Sequence, residues 1–97
     1  MDAAVILSSA TNVAVVQLPG RHYPGSVIQG DALSHLYFLA CNVEDGVAIS
    51  PDEELRDNAV ELRELLEARL RHFCRVLEER GMPPLQPVPA WRDRDSG

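Results

Sequence analysis

The chain contains no lysine. All 9 of its cationic residues are arginine, set against 15 carboxylates, for a formal net charge of -6. Aromatics make up 5% of residues, and there are two cysteines, Cys41 and Cys74. No apolar run approaches the roughly 20 residues that span a bilayer. Each shortage argues against a class of function. Phosphate binding needs clustered positive charge, whereas these arginines are interleaved with acids, so no nucleic-acid partner is expected. An acidic chain is equally ill suited to an anionic membrane surface, and no membrane partner is expected. Cys41 and Cys74 lack CxxC spacing, form no recognisable metal or redox motif, and read as small buried apolar residues. The opening MDAAVILSS places an acid where a signal peptide carries positive charge. The expected location is the cytoplasm, where cysteines stay reduced. A chain with plentiful Ala, Val, Arg and Pro but no Lys also points to a GC-rich bacterial genome.

What is present fits one small domain. Ninety-seven residues with 45% apolar content suffice for one modest core. Ala3–Leu7 reads as a strand, and Ser8–Asn12 as either a true turn or a bulged continuation. Val13–Leu18 is the stronger strand, through Val13, Val15 and Val16. The Pro19–Gly25 loop carries two Pro-Gly pairs, each suited to a type II turn. It is too short for a parallel crossover, so Ser26–Gln29 is expected to be an antiparallel partner. Asp31 reads as the N-cap of a short helix, apolar nearly all round. Val43–Ile49 reads as a connector with Gly46 as its hinge.

Ser50-Pro51-Asp52-Glu53 predicts the start of a long helix. Ser50 caps, Pro51 takes the first helical position, and Glu53 completes a capping box. Gly81, with Pro83 and Pro84 beyond it, predicts the stop. Leu55, Ala59, Leu62, Leu66, Leu70, Phe73 and Leu77 step by three or four, which predicts one buried face. Glu67 with Arg71 reads as an i,i+4 pair on the wet side. At roughly 30 residues this helix is about 45 Å long, longer than the small sheet can cover. That predicts a partner, with self-association the simplest. In the Pro-rich segment that follows, Leu85, Val88 and Trp91 recur at every third residue, on one face of a polyproline helix. That face is free to dock on the domain or on another protein.

Candidate chemistry gathers in one loop. Arg21, His22 and Tyr23 lie between the two Pro-Gly pairs. Arginine holds carboxylate or phosphate, histidine shuttles a proton near neutral pH, and tyrosine stacks or donates a hydrogen bond. The plain alternative is a solvated hairpin loop. Gln29 and Asp31 would set an amide and a carboxylate at a helix mouth, with capping as the plain alternative for Asp31. The loop is no phosphate cradle, because it lacks the glycine spacing and the following Lys-Ser/Thr. His35, Cys41, His72 and Cys74 fit no zinc spacing. No metal, cofactor or catalytic residue is expected.

The run NVAVVQLPGRHYPGSVIQGDALS, residues 12–34, resembles the N-terminal signature of a family of small uncharacterised bacterial proteins. The resemblance is carried by Asn12, Ala14, Val15, Val16, Leu18, Pro19, Gly20, Arg21, Pro24, Gly25, Val27, Gln29, Gly30, Asp31 and Leu33. It implies a bacterial domain of unknown function and brings no catalytic residues with it.

The expected fold is α+β. A small antiparallel sheet (residues 3–29) packs against a short helix (about 31–42) and a long helix (about 51–80). Residues 1–81 form a single domain, and 82–97 a Pro-rich extended tail. The expected function is non-catalytic binding or accessory action through protein–protein contacts. The chain would act as a homodimer or as the small partner of a larger protein, with an immunity- or inhibitor-like role as one version. The alternative is a small-molecule-binding protein or minor enzyme with its site at Arg21, His22, Tyr23, Gln29 and Asp31. There Arg21 would anchor an anionic group and His22 would be the acid/base.

Overall fold

A computed structural model of the chain describes residues 4–8 and 14–92. The elements run β1 (Val5–Ser8), β2 (Val15–Gln17), β3 (Gly25–Ser26), α1 (Gly30–Val47) and α2 (Glu53–Glu79). This is the α+β architecture that the sequence predicts. The strands form one antiparallel sheet in the order β1-β2-β3. Ile6 pairs with Val16 and Ser8 with Val15, a one-residue shift in register. Antiparallel pairing means that the chain reverses between β1 and β2 rather than continuing as one long strand; residues 9–13 lie outside the described residues.

Pro19-Gly20 makes the expected type II turn. Gly20 has φ 77°, and the Arg21 N–H donates to the Leu18 carbonyl at 3.2 Å, as that turn requires. The second Pro-Gly differs. Gly25 pairs with Val16 as part of β3, so it is extended, and β3 ends at Ser26 rather than Gln29.

Helix α1 also departs from expectation at both ends. Gln29 is its N-cap and makes no side-chain capping bond. Asp31 lies inside the first turn, where its carboxylate accepts from the Ala32 N–H at 2.8 Å and complements the helix dipole. Gly30, the first residue of the helix, lies against the Phe73 ring of α2, where any Cβ would collide with it. At the other end the helix runs through Gly46 to Val47. Contacts from Glu44 and Asp45 to arginines elsewhere in the chain hold that last turn in place.

Helix α2 begins two residues later than the Ser50 box implies. Asp52 is the N-cap and accepts from the Leu55 N–H at 3.1 Å, while Ser50 Oγ accepts from the Asp52 N–H. The Arg56 guanidinium donates to the Ser50 carbonyl. The C-terminus closes as a Schellman motif. Gly81 has φ 65°, its N–H donates to the Glu78 carbonyl, and the Met82 N–H reaches the Leu77 carbonyl.

Helices α1 and α2 pair as an antiparallel hairpin, with Gly30 against Phe73 at one end and Glu44 against Arg63 toward the other. The core lies between them. Leu33, Tyr37 and Ala40 face Ala59 and Leu70, of which Leu70 is fully buried. Cys41, Leu66, Phe73 and Cys74 pack around this centre. Leu55 and Leu62, expected in the buried face, are exposed, and Arg63 and Glu67 are buried in their stead. Among the described residues no strand Cα comes within 8 Å of a helix Cα. The sheet stands off, and Val5, Ile6 and Leu7 are 58%, 66% and 53% exposed. The two parts meet around a cavity of about 320 Å³, with Ser26 and Ile28 on one side and Leu33 and Phe73 on the other.

Candidate functional site

Arg21, His22 and Tyr23 are exposed on the loop after β2, Tyr23 to 77%. The rings of His22 and Tyr23 meet edge to face at 4.5 Å. The Arg21 carbonyl accepts from Gln17 Nε2 at 2.8 Å, which ties the loop to β2 and leaves the guanidinium out of that bond. Gln29 and Asp31 are exposed at the start of α1. Asp31 lines a groove of about 630 Å³ together with His35, Phe38 and Asn42; Arg21, His22 and Tyr23 are not among the residues lining it. The structure therefore brings His22 and Tyr23 together but does not join that pair to Asp31.

The other wall of this groove is the segment 85–92, a strap that crosses the helix hairpin. Leu85 and Trp91 pack on the core, while Val88 is exposed. The chain bends at Gln86 and Pro87, which breaks the three-residue repeat that would have aligned all three side chains. Tyr37 anchors the strap. Its hydroxyl accepts from the Arg92 N–H at 2.9 Å and donates to the Ala90 carbonyl at 3.4 Å. Burial pushes the Tyr37 hydroxyl above its usual range, so it stays a neutral donor. Trp91 lies 5.5 Å from the Tyr37 ring. The Arg71 guanidinium sits 4.4 Å over the indole, a cation–π contact.

Beneath the strap runs a chain of six charges. Arg63 forks onto Glu44, with Nε donating to Oε1 at 2.7 Å and Nη2 to Oε2 at 3.2 Å, while Nη1 donates to Glu67 at 2.8 Å. Glu67 also accepts from Arg71 at 2.8 Å. On the other side of Glu44, Arg92 Nε lies 3.5 Å away. Its Nη2 donates to the Cys41 carbonyl and to Asp45, both at 2.9 Å. Arg71, Glu67, Arg63, Glu44, Arg92 and Asp45 thus form a neutral relay of three cations and three anions. Two of its members, Arg63 and Glu67, are only 4% and 7% exposed. Burial alone would raise the Glu67 carboxyl. Hydrogen bonds from Arg71 and Arg63 outweigh it and hold that carboxyl below the usual carboxylate range. Arg63 is held firmly charged, chiefly by its bonds to Glu44.

The chemistry available here is limited. Glu67 gives both its oxygens to arginine, so it is no poised general acid or base. Burial raises the Cys74 thiol, which disfavours the nucleophilic thiolate. Among the described residues no three His, Cys, Asp or Glu side chains gather as a metal ion would require. No described helix is long and apolar enough to cross a membrane.

The Glu67–Arg71 pair forms as the sequence predicts and Arg71 is exposed, but Glu67 is buried, and the rest of the ion relay is not legible in the sequence. One signal was present. Ala59, Arg63 and Glu67 step by four along a single line, so a small residue and an opposite-charge pair share one face. A small side chain on that line is a sign of close helix approach.

The fold and the relay define a small α+β protein whose central polar groups are spent on fixing a helix hairpin and its strap. The chain belongs to a family of unknown function (DUF6959), whose model matches residues 1–84. The match includes the sheet, the hairpin and most of the relay, and it ends before the strap. No curated protein and no solved structure matches the chain.

Proposed function

We propose that this is a non-catalytic binding or accessory protein that acts through protein–protein contacts in the cytoplasm. One observation carries the reading: large apolar side chains stand open on both the sheet and the helices, among them Ile6, Leu7, Phe38 and Leu62. Apolar surface on this scale supports a partner. The net charge of -6 supports an inhibitor-like version in which carboxylates face a basic target.

A pull-down from the native host, with mass spectrometry of proteins and small molecules, tests the reading. A stoichiometric protein is the expected result. Recovery of a tightly bound small molecule that is lost on Arg21→Ala would overturn it in favour of a ligand site at the Arg21–Tyr23 loop.

A further inference from the structure

Resting on that reading, we propose that the contact surface is the face of the helix hairpin turned away from the strap. Its occupant is a second copy of this chain, which completes a four-helix bundle.

The strap covers the side of α1 that carries Ser34, Phe38 and Cys41. At 100° per residue, Leu36 and Val43 fall on the opposite side, with Leu39 at its margin; all three are exposed. On α2, Leu55 and Leu62 form the matching stripe, with half-buried Leu66 beside them and Leu65 on the flank. Leu36 and Val43 are seven residues apart, and so are Leu55 and Leu62. Seven-residue spacing is the repeat of helices that pack in bundles. The hairpin already fills its inner face with Leu33, Tyr37 and Leu70, and among the described residues Ser26 and Ile28 approach the open face only at its Phe73 end.

Charge selects the occupant. A quarter of the chain is charged, yet the α1 side that carries Ala32, Leu36, Val43 and Val47 has no charged residue. The α2 side, from Leu55 through Asn58, Leu62 and Leu66 to Phe73, has Arg69 alone. A basic partner would seek carboxylates, and this face presents none. Two chains of -6 each repel, which favours contact where neither shows an acid. An antiparallel hairpin face can also pair with itself about a two-fold axis, which gives a closed contact rather than a filament.

Size-exclusion chromatography with light scattering on the full chain tests the proposal. The expected mass is twice 10.7 kDa. Leu62→Glu, placed on the face, should weaken dimerisation by at least about 100-fold, because each dimer would bury two unpaired carboxylates. Far-UV circular dichroism should show the helices kept. Leu36→Ala preserves helix propensity and should weaken the dimer more modestly, which guards against misfolding of the glutamate variant. Phe38→Glu, on the strap side, should leave the mass doubled. A wild-type mass of 10.7 kDa at about 100 µM would overturn the proposal, as would a folded Leu62→Glu protein that stays dimeric. If the monomer nonetheless captures a different protein in stoichiometric amount, protein binding stands and self-association falls. If it captures nothing, both fall.

Discussion

The two long faces of the helix hairpin are finished in different ways. One is closed by the chain's own strap and threaded with charge, from Arg71 through Glu67, Arg63 and Glu44 to Arg92. The other is apolar, nearly uncharged and open, with Leu62 49% exposed. The contrast separates two jobs that packing performs. A forked guanidinium meets its carboxylate at one offset, so the Arg63–Glu44 pair fixes the register of α1 against α2. Leucines tolerate sliding, and what they supply is area. The face that sets register uses ions, and the open face is nearly free of them.

The largest effect is expected where register is set. Arg63→Ala leaves Glu44 and Glu67 facing each other in a buried site, and removing one partner of a buried pair costs about 3–5 kcal/mol. Urea denaturation followed by circular dichroism measures it. A loss below about 1 kcal/mol would show that water reaches the relay and that the two faces differ less than their burial indicates. Next comes Gly30→Ala. The new methyl meets the Phe73 ring, and overpacking of this kind costs about 1–3 kcal/mol. Gly46→Ala is its counterpart in α1: no atom lies within 4 Å of the added methyl, and helix propensity predicts a gain of about 0.5–1 kcal/mol. Opposite signs for one substitution in one helix would locate the tight end of the hairpin.

A smaller effect tests the strap itself. Tyr37→Phe removes the hydroxyl that holds Ala90 and Arg92, at about 0.5–1.5 kcal/mol per bond. Trp91 is the single tryptophan, so its fluorescence should shift red as the strap loosens. The matching change on the open face, Leu62→Ser, should leave that fluorescence untouched.

The sequence revealed α2 more clearly than α1, for physical reasons. A helix that begins at Asp52 and stops at a left-handed Gly81 is marked by residues acting locally. The end of α1 is decided by Glu44 and Asp45 reaching Arg63 and Arg92, 19 and 47 residues away. No local pattern encodes that, so Gly46 read as a hinge. The buried stripe failed for a related reason. Periodicity ranks positions by hydropathy, whereas burial here follows shape and pairing, so Arg63 went inside while Leu55 and Leu62 stayed out. Arg21, His22 and Tyr23 were legible as an exposed loop trio. Their residue types show what they can bind but not what they meet.

The smallest expected effect is a slope with pH, and it distinguishes the faces without disturbing packing. Arginine hydrogen bonds lower the Glu67 carboxyl, but burial opposes them and cancels part of the gain. A group whose folded pKa lies below its unfolded value of 4.5 contributes stability that is whole above that pH. The contribution is lost as pH falls through the folded pKa. Stability of the wild type should therefore decline as pH falls below 4.5, in part through Glu67. Glu67→Gln cannot titrate, so its stability should fall less steeply across that window even though it starts lower. Leu62→Ser should retain the wild-type slope, because nothing on the open face of α1 or α2 titrates there. Equal slopes for wild type and Glu67→Gln would mean that burial cancels the arginine bonds, so that Glu67 binds its proton equally in the folded and the unfolded chain.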